Sequence, residues 1–220
     1  MTLQRPRQIV LLRLEWPAAE DAVAAAPRLP APLAEALREA GFAATDLALH
    51  REPDAPAALA YLHPAPATAS VSDAEFERLR EMLARRLPHA RAMRLQALME
   101  IDGAAAGALA PWHYVVETDV QPQADADLNA WYDREHLPGL AAVPGTVRAA
   151  RYRSLDDGPR YHACYELVAR EVFGSGPWLA VRATDWSSRV RPMFVNTRRT
   201  MLRTVVTPAG SADPRRRPPG

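Results

Sequence analysis

The chain has 220 residues, 48% of them hydrophobic, with 27 basic against 26 acidic side chains and a net charge of +1. That is apolar material for one large core or two small ones, and the balanced charge leaves no basic face to follow a phosphate backbone, so no nucleic-acid partner is expected. The basic residues are all arginine and Cys164 is the lone cysteine, which excludes a Schiff-base or Walker-type lysine, an internal disulfide and a thiolate zinc cluster.

Gln8 to Trp16 (QIVLLRLEW) reads as a strand. Its apolar run, Ile9 to Leu14, is short, contains Arg13 and lacks a small-residue cleavage site, so it is not read as a signal sequence. Nowhere do about eighteen apolar residues run together, and a cytoplasmic protein with no membrane partner is expected. Pro17 to Pro30 reads as a loop, and Pro32 to Ala40 as a helix stopped by Gly41. Ala44 to His50 and Ala58 to His63 read as a hairpin around the turn Pro53 to Pro56. Ser72-Asp-Ala-Glu75 is a capping box ahead of apolar residues at helical spacing, Phe76, Leu79, Met82, Leu83 and Leu87. Arg91 to Ile101 is a further strand, completing the order βαββαβ.

From Trp112 the order begins again, about 104 residues after Gln8. WHYVVETDV is a strand, Asp125 to Glu135 a helix, Thr146 to Arg153 a strand after the Pro144-Gly145 turn, and Tyr161 to Val168 its partner. Ser175-Gly-Pro177 opens one last helix carrying Trp178 and Trp186, and Thr197 to Thr207 is the final strand. The expected fold class is α+β: two tandem ferredoxin-like (βαββαβ) units packed sheet to sheet as an intramolecular α+β barrel, because a sheet with both helices on one face leaves the other needing cover. Residues 1–102 form the first repeat, 103–110 an Ala/Gly linker, 111–208 the second repeat and 209–220 a disordered tail. The barrel interior is either filled by side chains or open as a ligand cavity, and the chain is expected as a monomer or homodimer.

The stretch WYDREHLPGLAAVPG, Trp131 to Gly145, carries the chemistry. On a helix from Asp125, Leu128, Trp131, Tyr132, Glu135 and His136 share one face, and Leu137-Pro138 should end that helix. His136 in the last turn then has two readings: a cap on unpaired carbonyls, or a titratable group facing a cavity, where an unperturbed pKa near 6.5 suits proton shuttling. Glu135 or Asp133 either orients the ring or is an ordinary solvated carboxylate. The alternation in YHACYELV separates Tyr161, Ala163 and Tyr165 from His162, Cys164 and Glu166 without saying which set faces inward. Arg151 and Arg153 share a face of TVRAARYR, and Arg151 is either a binder of carboxylate or enolate oxygen or part of a rim salt bridge. His50, His63, His89 and His113 lack metal-site spacing, so no metal is expected.

Trp131, Tyr132, Glu135, His136, Pro144 and Gly145, followed by TVRAARYR and YHACYEL, resemble the signature of the EthD-like branch of the dimeric α+β barrel proteins. The resemblance covers Trp112 to Thr207 in sequence and the first half in architecture alone. It implies a ligand pocket beside His136, since in related lactone isomerases the histidine of this helix takes part in proton transfer. Haem-binding relatives carry a GxxDG-type motif that this chain lacks, and no cofactor is expected. His136 is therefore the candidate acid/base, Trp131, Tyr132, Arg151 and Tyr165 the candidate substrate contacts, and Glu135 the candidate orienting carboxylate. The leading reading is a cofactor-independent enzyme, an isomerase, cyclase or oxygenase, acting on a small apolar carbonyl, lactone, aromatic or polyketide-like compound. The alternative is a non-catalytic carrier using the same pocket.

Overall fold

The computed structural model describes residues 7–16, 29–64 and 70–207. The loop expected over Pro17 to Pro30 falls mostly outside them, as does the tail from Ala209. The fold is mixed α+β, and the described residues divide into two compact units, one of those up to Gln96 plus Leu202 to Thr207, the other Ala97–Met201.

In the first unit the strands are β1 (Gln8–Glu15), β2 (Leu47–Arg51), β3 (Ala57–Leu62) and the first half of β4 (Arg91–Asp102). They hydrogen-bond in the order β4-β1-β3-β2, with antiparallel registers such as Leu12 opposite Ala60 and Ala92. The helices α1 (Ala31–Ala40) and α2 (Asp73–Arg86) lie on one face of this sheet, where Val10, Leu12, Leu49 and Leu62 pack with Leu33, Leu37, Phe76 and Leu79. Gly41 ends α1 at φ 88°, and the capping box forms, the Glu75 amide donating to Ser72 Oγ and the Ser72 amide to Glu75 Oε2.

The second unit repeats the order. β5 (Trp112–Val120), β6 (Thr146–Ser154), β7 (Tyr161–Leu167) and β8 (Phe194–Val206) give β8-β5-β7-β6, with the end of β4 beside β6. Tyr114 pairs with Tyr165, and Arg151 with Ala163. Gly145 enters β6 at φ +92°, a left-handed conformation that glycine adopts without Cβ strain. Gly103 to Ala110, a linker by composition, is tied down at its start: the amides of Gly103 and Ala105 donate to Val147 and Thr146 carbonyls.

Two expectations about helices are corrected. The helix from Asp125 does not stop before Pro138. It runs as α3 (Asp125–Trp131), a π turn over Tyr132–His136 in which the Leu137 amide reaches back to the Tyr132 carbonyl, and α4 (Leu137–Ala141). Pro138 lacks the amide that an unbroken α-helix would need there, and the wider turn absorbs the mismatch. The last helix is two: α5 (Gly176–Arg182), capped by Ser175, and α6 (Asp185–Val190), capped by Thr184. Trp178 and Trp186 therefore sit on different helices. No helix among the described residues is long and apolar enough to cross a membrane.

Candidate functional site

The helix face of the second sheet carries Tyr114 and Val116 from β5 and Tyr161, Ala163 and Tyr165 from β7, packed with Leu128, Trp131, Tyr132, Leu140 and Trp178. This settles the alternation left open by YHACYELV. His162, Cys164 and Glu166 point to the opposite face, where His162 is fully buried, its Nε2 3.0 Å from the Pro159 carbonyl and its Nδ1 3.3 Å from Glu117 Oε1.

Between the helices and this sheet is a cavity of about 30 Å³, lined by Tyr114, Trp131, Tyr132, His136, Tyr165 and Trp178, with Arg182, Arg191 and Arg199 at its edge. It lies on the helix side of the second sheet, whereas the sequence placed the pocket inside a barrel, on the face without helices. Tyr165 meets Trp178 at 5.3 Å and 76°, and Tyr114 meets Trp178 at 6.0 Å and 73°.

His136 stands on the π turn, 7% exposed, its ring stacked on Trp131 at 4.0 Å and 21° and edge-on to Tyr132 at 5.2 Å. It is not a helix C-cap, since the helix continues past it. Burial, with Arg182 and Arg191 nearby, pushes its pKa down to about 3, so the ring is neutral at physiological pH and the unperturbed value near 6.5 does not apply. Burial likewise raises Tyr132 to about 12 and Tyr165 well above its ordinary value. Both phenols remain protonated and are hydrogen-bond donors. His136 Nδ1, Tyr165 Oη and Trp178 Nε1 are all buried without a hydrogen-bond partner among the described residues. Each such atom costs roughly 1–3 kcal/mol unless something enters to satisfy it.

Two candidates from the sequence take other roles. Glu135 does not orient His136: its Oε1 accepts from Trp131 Nε1 at 3.1 Å and from Thr184 Oγ1 at 2.6 Å. It thereby fixes the indole on which the imidazole stacks. Arg151, 1% exposed, does not line the cavity. Its guanidinium lies 4.4 Å from the Tyr132 ring centre and 4.7 Å from that of Tyr161, and its Nη2 donates to Asn129 Oδ1 at 2.8 Å. Arg151 is thus a support behind Tyr132. The cavity-lining residues that sequence reasoning missed include Tyr114, Trp178 and the three arginines. The parity of β5 with β7 would have found Tyr114, but nothing local marks the others. Among the described residues no group of three or more His, Cys, Asp or Glu side chains could hold a metal ion.

No protein-family model matches the chain, and no curated protein matches it in sequence. Solved structures match it in shape. A proposed monooxygenase of Fusobacterium nucleatum subsp. nucleatum aligns over 96% of this chain and 97% of its own, with a TM-score of 0.60 and 10% identity. An anthrone oxidase-like protein aligns over 94% and 95%, with a TM-score of 0.56 and 15% identity. A ferredoxin fold protein of Listeria monocytogenes, related to antibiotic biosynthesis monooxygenases, aligns over 92% and 97%, at 0.53 and 9%. The chain shares their fold. At such identities the likeness extends to the α+β architecture and not to any activity.

Proposed function

We propose that the cavity of the second unit binds the reacting edge of a small planar carbonyl or phenolic compound, and that the protein is a cofactor-independent enzyme in which neutral His136 moves a proton. The observation that carries this reading is that His136, Tyr165 and Trp178 all line one aromatic cavity while His136 Nδ1, Tyr165 Oη and Trp178 Nε1 are buried with no hydrogen-bond partner among the described residues. An acceptor beside two donors is what enolisation requires. His136 Nδ1 takes the proton from the carbon next to a carbonyl, the electron pair moves onto the oxygen, and the Tyr165 hydroxyl and Trp178 N–H donate to the oxyanion. The imidazolium then returns the proton, to the same carbon or to another, which completes an isomerisation or prepares a cyclisation. The EthD-like resemblance over Trp131 to Gly145 supports the same class of substrate. In the oxygenase version, the enolate or phenolate would pass electrons to dioxygen. We also read the two units as tandem copies of one βαββαβ element, the second of which holds the site.

Binding without turnover is the second reading, favoured by the depression of His136 to a pKa of about 3, which makes it a weak base in the resting pocket. Formation of the anion beside the imidazolium offsets that in the transition state. The test is deuterium exchange of 2-tetralone in D2O, followed by NMR, with oxygen consumption monitored in parallel. Wild type should exchange the protons next to the carbonyl above background, and His136→Asn should lose about 10²–10⁴-fold. Ligand-induced shifts with no exchange in wild type would establish the carrier reading instead.

A further inference from the structure

The cavity is neutral and aromatic within, yet its edge is strongly basic. Arg182 ends α5, Arg191 follows α6, and Arg199 lies on β8, and all three line the same cavity. Arg182 and Arg191 are half-buried and Arg199 is exposed. Three other arginines of this unit are matched to acceptors: Arg189 to Asp127 at 3.0 Å, Arg160 to Asp125 at 3.1 Å, Arg148 to Glu100 at 2.6 Å. The guanidinium groups of Arg182, Arg191 and Arg199 have neither an ion pair nor a hydrogen bond among the described residues. Among the described residues no carboxylate lines the cavity. Instead they act on one another, and burial together with the charges of Arg182 and Arg199 lowers the pKa of Arg191. Like charges gathered around a partly desolvated opening are unfavourable unless an anion binds there. Planar guanidinium groups suit a carboxylate, which they can hold through paired hydrogen bonds.

We propose that Arg182, Arg191 and Arg199 form an anion-recognition site at the edge of the cavity, and that the ligand is an aromatic or polyunsaturated carboxylic acid. Its carboxylate rests on the arginines and its ring edge enters toward His136, Tyr165 and Trp178. The proposal rests on the cavity being a ligand site and adds the ligand's charge. It also explains the size of the cavity: a volume of about 30 Å³ admits the edge of a ring, while the rest of the molecule lies between the arginines. Because Arg199 is exposed, part of the attraction is screened by salt.

The test titrates the full chain with anthracene-2-carboxylate and with the uncharged anthracene-2-carboxamide, following probe fluorescence at low and at 0.5 M salt. The acid should bind at least tenfold more tightly than the amide at low salt, and the gap should narrow at high salt. The double variant Arg182→Gln, Arg191→Gln should lose that tenfold for the acid and bind the amide as wild type does. Its melting temperature should not fall, since two unpaired charges are removed. Equal affinity for acid and amide in wild type overturns the anion site and leaves the cavity reading standing. Undiminished acid binding by the folded double variant overturns it as well. Failure of both probes to bind wild type removes the cavity reading, and the anion site with it.

Discussion

His136 should make the protein lose stability in mild acid. Its ring is 7% exposed and its pKa is pushed down to about 3 by burial and by Arg182 and Arg191, against about 6.5 in an unfolded chain. The folded value is the lower one, so between these pH values the unfolded chain binds a proton that the folded chain does not. Stability is therefore full above pH 6.5 and declines as the pH falls through the window. Integrated from neutrality down to pH 5, the loss from this one residue is about 2 kcal/mol. For a chain of this length that is roughly 4–8 °C in melting temperature. Carboxylates titrate in the lower part of the same range, so the measurement is a difference. Melting temperatures of wild type and His136→Asn are recorded from pH 8 to pH 4.5. The variant carries a constant offset from its altered packing, but its profile should be flatter by about 2 kcal/mol at pH 5. Parallel profiles would refute the burial of a neutral imidazole and, with it, the description of the pocket. Direct NMR titration should likewise show no midpoint for the His136 ring between pH 5 and 8.

Glu135→Ala should destabilise the protein by about 2–3 kcal/mol in urea unfolding, because Trp131 Nε1 and Thr184 Oγ1 both lose a charged acceptor; a shift in tryptophan fluorescence should accompany it. Arg151→Lys keeps the charge but gives up the flat contact between Tyr132 and Tyr161 and the donor to Asn129. It should cost about 1–3 kcal/mol of stability while leaving the affinity for anthracene-2-carboxylate within about twofold of wild type. Gly103→Ala should be among the more damaging small changes in the chain, since a Cβ there would meet the Thr146 carbonyl oxygen at 2.1 Å. Backbone must move to admit it, at about 1–3 kcal/mol or more, readable as a lower melting temperature.

The sequence by itself determined the order of elements in each unit, because the signals involved are local. A period-two apolar run, a capping box at Ser72 and glycines at 41 and 145 act over a few residues and are not overridden by what packs on them. It also placed Trp131, Tyr132 and His136 together, since three, four and eight residues after Leu128 fall on one helix face. It misjudged the end of that helix, because a proline's missing amide can be met by stopping or by a π turn, and the side chains packed around Tyr132–His136 decided between them. It left open whether Tyr165 or Cys164 met the helices, since alternation gives two equivalent faces until a layer covers one. It assigned Glu135 to His136 by proximity along the chain, whereas Thr184, 49 residues away, and the Trp131 indole claimed that carboxylate. Arg182, Arg191 and Arg199 come from α5, from the turn after α6 and from β8. Their meeting at one cavity, like the protonation state it helps impose on His136, was decided by tertiary structure alone, because a Coulomb energy depends on distance in space and on the surrounding dielectric, neither of which is written in the spacing of residues along a chain.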